Sequence, residues 1–92
     1  MDDKELADNV VALGVGEYRL DGLNDSKYGF GIWGMTAKQF VRDWRVAGAL
    51  MEKVLREAGA IERVFENALG ESKESFPRAI NEAACEVLGA EQ

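Results

Sequence analysis

The feature that most constrains this chain is one amphipathic segment, MTAKQFVRDWRVAGALMEKVLREAG, at residues 35–59. Thr36 stands where a helix N-cap belongs, and Gln39 follows three residues later, so hydroxyl and amide can each satisfy an open backbone N–H. Met35 and Phe40 are spaced as a hydrophobic staple across that start. Phe40, Trp44, Ala47, Met51, Val54 and Ala58 then recur at steps of four and three, one stripe of a helix. Gly59 is placed to end it in the left-handed conformation. A helix over residues 36–58 with such a stripe must bury it. In 92 residues this makes it the central helix of one small domain, residues 1–92.

The rest of the chain supplies the other elements. Leu6, Val10 and Leu13 share a face over residues 3–13, with Asp2 and Asp3 where the helix dipole favours acids, so a first helix is expected there, closed by Gly14. Tyr18 and Leu20 alternate with Glu17, Arg19 and Asp21, a short strand with one wet face. Residues 22–26, GLNDS, are turn chemistry. Residues 27–35 read as a second strand, with Tyr28, Phe30 and Ile32 on one side and Gly29, Gly31 and Trp33 on the other. Its glycines mark close approach by a helix, a bulge, or a shallow slot beside Trp33 for a partner. Residues 61–69 fit a helical stripe through Ile61, Val64, Phe65, Ala68 and Leu69, although a third strand over residues 63–69 also fits. Ser75 is a candidate N-cap with Pro77 in the first turn, and Phe76, Ile80, Ala84 and Val87 form the apolar face of a last helix ending at Gly89. The expected class is α+β: a short antiparallel hairpin, with a third strand left open, packed in two layers with three to four helices.

Composition excludes more chemistry than it admits. There is no histidine and one cysteine, so the usual neutral-pH base is missing, a zinc site cannot be built from thiols and imidazoles, and Ser–His or Cys–His nucleophiles are ruled out. No phosphate-cradling loop follows a strand and opens a helix. The expectation is a non-enzymatic protein without a metal or cofactor. A lone cysteine fits a reducing, cytoplasmic setting, and Cys85 sits beside the last helix's apolar face as a small buried residue. Apolar runs fall well short of the roughly 20 residues that span a bilayer.

The net charge is −6, which argues against nucleic acid and anionic membranes as partners and is compatible with a basic protein. It is unevenly spread: −4 over residues 1–21, +2 over residues 22–50 and −4 over residues 51–92. Arg42 and Arg45 flank Trp44 in the middle band. They could grip a carboxylate or phosphate, or form the wet side of the helix. Glu52 with Arg56, and Lys53 with Glu57, are spaced as i,i+4 pairs. Trp44 is placed in the core. Tyr18 and Trp33 are the better contact aromatics, and with Arg19, Lys27, Arg42 and Arg45 they make the candidate binding surface.

Three segments, KELADNVVALGVGEY (4–18), FVRDWRVAGALMEK (40–53) and SFPRAINEAACEVL (75–88), together resemble the phage ABA sandwich domain family of small tailed-phage and prophage proteins. The resemblance rests on hydrophobic pattern, the Asp-Trp-x-x-Ala helix and the Pro-x-Ala-Ile helix. It implies an antiparallel sheet between helices and a strand over residues 61–69, and it carries no catalytic residues over. The family has no assigned activity; a small, acidic, histidine-free chain with this phage resemblance is expected to act by binding in a bacterial host, foremost as an inhibitor of a defence component such as a CRISPR effector with a basic surface, which fits the acidic ends. The alternatives are an oligomeric binder that sequesters a signalling nucleotide, and a phage housekeeping protein. Self-association is compatible with so small a core.

Overall fold

The structure, a computed structural model, describes residues 2–18, 28–57, 59, 61–71 and 75–89. It is α+β, with five helices and a three-stranded antiparallel sheet. The elements are α1 (Asp3–Ala12), β1 (Glu17–Tyr18), β2 (Tyr28–Phe30), β3 (Trp33–Met35), α2 (Ala37–Val41), α3 (Trp44–Glu57), α4 (Ile61–Glu71) and α5 (Phe76–Leu88). Leucine 20, the expected turn at residues 22–26, Arg19 and Lys27 lie outside the described residues.

Local signals set most of the boundaries. The Asp2 carboxylate caps α1 by accepting from the Glu5 N–H at 2.8 Å, and Gly14 follows at φ +90°. The Thr36–Gln39 capping box forms as expected. Gly59, at φ +62°, ends α3 with its N–H on the Val54 carbonyl at 2.9 Å, a six-to-one closure. Ser75 caps α5, Pro77 sits in its first turn, and Gly89 ends it at φ +70°.

Two expected elements are each divided. The strand expected over residues 27–35 is a hairpin. Gly31, at φ +62°, and Ile32 make a two-residue turn, and the register runs Tyr28↔Met35, Gly29↔Gly34, Phe30↔Trp33. A positive φ at the first turn residue only is the type II′ pattern that suits twisted strands. The turn consumes two residues and resets the alternation: Trp33 shares the face of Phe30 and Met35, while Ile32, expected on the side of Tyr28 and Phe30, is 84% exposed. Glycine 31 is therefore a turn residue. Gly29 is approached by the chain's own backbone, since a Cβ on Gly16 would lie 2.8 Å from the Gly29 carbonyl and 2.6 Å from the Phe40 ring.

The helix expected over residues 36–58 breaks at Arg42–Asp43 into α2 and α3. Asp43 causes the break: its carboxylate accepts from the Arg45 N–H at 2.8 Å, the side-chain competition that favours Asp at helix starts over helix interiors. Within a continuous helix that N–H would serve the Val41 carbonyl. Asn81, fully buried on α5, takes over and donates Nδ2 to that carbonyl at 2.9 Å. The break shifts the phase of the stripe. Val46, Ala47, Leu50, Met51 and Val54 are buried, and Trp44, expected in the core, is 62% exposed.

Residues 61–71 are helix, as the residue pattern indicates and not as the resemblance implies; the third strand is β3. Val64 and Ala68 of the expected stripe are buried, and Phe65 and Leu69 are exposed. Helix α5 touches all four other helices. Its buried Ala79, Ala83, Ala84 and Cys85 are small enough to let neighbouring backbones come close.

Candidate functional site

Among the described residues the most exposed large apolar side chain is at the tip of the β2–β3 hairpin. Ile32 projects from the turn, and Trp33, 50% exposed, follows on β3. The Trp33 ring is held from one side: the Arg45 guanidinium lies 4.5 Å from its centroid, a cation–π distance. Arg45 is itself fixed by Asp43, with Nη2 to Oδ2 at 2.6 Å and Nε to Oδ1 at 3.0 Å. Arg45 holds the Asp43 carboxyl below its ordinary range, against the opposing effect of burial. Beside them Trp44 packs against Phe76 of α5 with centroids 5.9 Å apart. The α3 start thus carries an arginine with an indole on each side in sequence or space.

The other expected site residues lie apart. Arg42 turns inward to α1, donating from Nη1 to Asp3 Oδ2 at 2.9 Å and to the Lys38 carbonyl at 3.1 Å. Arg78 reaches the other Asp3 oxygen at 2.8 Å, so one carboxylate joins α1, α2 and α5. Burial pushes the Asp3 carboxyl up, but the hydrogen bonds from Arg78 and Arg42 outweigh it and hold it below the ordinary value. Tyr18 is exposed, yet its hydroxyl donates to Asp8 at 3.1 Å. Asp8 also accepts from Tyr28 at 2.6 Å and Lys4 at 2.9 Å. The Tyr28 bond is the main reason its carboxyl is depressed. Burial, then Asp8, raises both tyrosines. These are structural hubs. The two described arginines of the basic middle band each face a carboxylate.

Sequence reasoning missed Ile32 and Trp44. The signals were Gly31, which could have been read as a II′ turn residue in YGFGIWG, and Asp43, which could have been read as a cap within VRDWRV.

A groove of about 290 Å³ runs between α4 and α5, lined by Glu66, Gly70, Ala79, Glu82, Ala83 and Glu86 among others. Among the described residues its lining carries three glutamates and no base. Among the described residues no three Asp, Glu or Cys side chains stand together as a metal ion requires, and no helix is long and apolar enough to cross a membrane. Comparison with protein-family models, curated proteins and solved structures finds no match to this chain.

Proposed function

We propose that this protein acts by non-covalent binding to another protein, with the β2–β3 hairpin tip as its contact. The observation that carries this reading is the pair Ile32 and Trp33: adjacent, large, apolar and 84% and 50% exposed, on a turn whose own geometry requires only Gly31. Tryptophan and arginine are the residue types that dominate binding hot spots. The Asp43–Arg45–Trp33 chain of contacts fixes the indole beforehand, which lowers the entropy lost on association. The partner in this reading is a component of a bacterial host's defence with a basic surface, inhibited by a phage-encoded accessory protein. The −6 charge supports the basic surface, because opposite charge speeds encounter.

The test has two layers. Partner capture from host lysate is compared for the native chain, Ile32→Asp and Trp33→Ala. Each variant is expected to weaken capture about 30-fold, the affinity equivalent of a 2 kcal/mol hot spot. Undiminished capture by both folded variants would remove the hairpin tip from the interface. Expression in host strains with and without each defence system tests the finer reading. It falls if no strain's immunity changes.

A further inference from the structure

A second face points to a different occupant. On α3, Trp44, Gly48 and Leu55 are separated by four and seven residues, so at 100° per residue they fall within about 40° of one another. Trp44 is 62% and Leu55 56% exposed, and Gly48 between them is exposed too. Glycine in a helix interior costs stability, and no described residue requires it: a Cβ at Gly48 would meet no described atom within 4 Å. A large residue at each end of a bare backbone patch is what a second helix needs to cross closely.

The charges beside this stripe select the second helix. Arg45, Glu52 and Arg56 run along one flank and are exposed. Among the described residues Glu52 and Arg56 make no ion pair, unlike Lys53 and Glu57 at 2.7 Å. Asp43 occupies Nε and Nη2 of Arg45, leaving its Nη1 without a partner among the described residues. A two-fold axis that places Gly48 of one α3 opposite Ala49 of another, antiparallel, also places Arg45 opposite Glu52, twice. It sets each Trp44 beside the exposed Leu55 of the other copy. The bare Gly48 backbones meet at the crossing, the indoles lie on either side, and the flanking charges are self-complementary, as a two-fold interface demands.

We infer that two copies of this chain dock α3 against α3 in this antiparallel register. The test is sedimentation velocity over a concentration series at low salt, with circular dichroism confirming that each variant folds. The native chain is expected to pass from monomer to dimer with concentration. Arg45→Glu and Glu52→Arg each place like charges opposite one another, and each is expected to weaken dimerisation about tenfold or more. Mixed one to one, these two variants are expected to form a heterodimer, because each supplies the charge the other lacks. Gly48→Ala is expected to raise the monomer's Tm by about 3 °C while weakening the dimer, a split that a purely structural role would not produce. A native chain that stays monomeric at several hundred micromolar overturns the inference. So does a mixture that stays monomeric while the native chain dimerises, or a dimer lost on Ile32→Asp. Loss of partner capture by Ile32→Asp with the dimer intact keeps the two interfaces distinct.

Discussion

The two sides of this molecule are joined by different means. On the sheet side, α1, the strands and α2 meet through specific polar and backbone contacts. Asp8 collects two tyrosines and a lysine, Asp3 links Arg42 to Arg78, and Gly16 lies against Phe40 and the Gly29 carbonyl. On the other side, α3, α4 and α5 meet through apolar stripes and small residues, and their outward faces carry solvated charges. Length accounts for the difference. Strands of two and three residues and a five-residue helix are unstable alone, so the contacts that position them must be directional. Helices of eleven to fourteen residues bury enough stripe to find their places without such contacts. Mutational sensitivity should therefore concentrate on the sheet side.

The largest effect is expected at Gly16. Alanine there would hold a left-handed φ, at about 1–2 kcal/mol, and would overpack Phe40 and the Gly29 carbonyl, at about 1–3 kcal/mol more. A Tm fall of at least 10 °C should follow for a domain of this size. Gly14→Ala is the control. Gly14 also has a positive φ, but a Cβ there meets nothing within 4 Å, so only the backbone term applies. Equal losses in the two variants would show that the contact with Phe40 is not what fixes β1.

Asn81 comes next, since it is the point where the helical side repairs a defect of the sheet side. Asn81→Ala leaves the Val41 carbonyl buried without a donor, at about 1–3 kcal/mol, and opens a small cavity. Its own Oδ1 has no partner among the described residues, so part of the loss is offset by removing that oxygen; a net loss of about 2 kcal/mol is expected by urea unfolding. Asn81→Leu should be nearly as damaging. A neutral Leu variant would mean that the helix break does not depend on the amide.

The same contrast decides what was legible in the sequence. Helix caps are local: Thr36, Gly59, Ser75 and Gly89 were all readable from their own neighbours. The α4 helix was readable from its stripe of residues, against the strand that family resemblance implied. What escaped were two single-residue decisions with nonlocal consequences. Asp43 interrupts a 3.6-residue pattern and moves Trp44 from core to surface. Gly31 turns one strand into two and moves Ile32 to the tip. Periodicity averages over a window, so one capping or turn residue inside it is outvoted. The candidate site inherited both errors, and of its four described residues Trp33 and Arg45 are the two brought together. The Asp3 and Asp8 hubs had no sequence signal, because their partners lie up to 75 positions away.

A smaller effect is expected where the two sides are joined by charge. Asp3 and Asp8 are both held below the ordinary 3.8 in the folded chain. The unfolded chain therefore binds protons more readily. The stability these groups confer is complete above the ordinary carboxylate value and is lost as pH falls through the lower folded values. Asp3→Asn should cost about 1 kcal/mol at pH 7, since the pairs are partly exposed. It should also flatten the acid limb of a urea-midpoint profile between pH 5 and pH 3. An unchanged acid limb would assign the joint to packing alone.

The smallest effect has the opposite sign and lies on the helical side. Gly70, in the last turn of α4, faces the groove with open space where a Cβ would be. Alanine there asks for no left-handed backbone and displaces no neighbour. It removes conformational freedom from the unfolded chain and should stabilise by about half a kcal/mol, a Tm rise of roughly 2–4 °C. The same substitution that should disrupt the fold at Gly16 should thus strengthen it at Gly70. Position decides the sign: one glycine admits two other parts of the chain, and the other admits only solvent. A destabilised Gly70→Ala variant would show that the long helices also depend on close backbone approach, and the division between the two sides would fail.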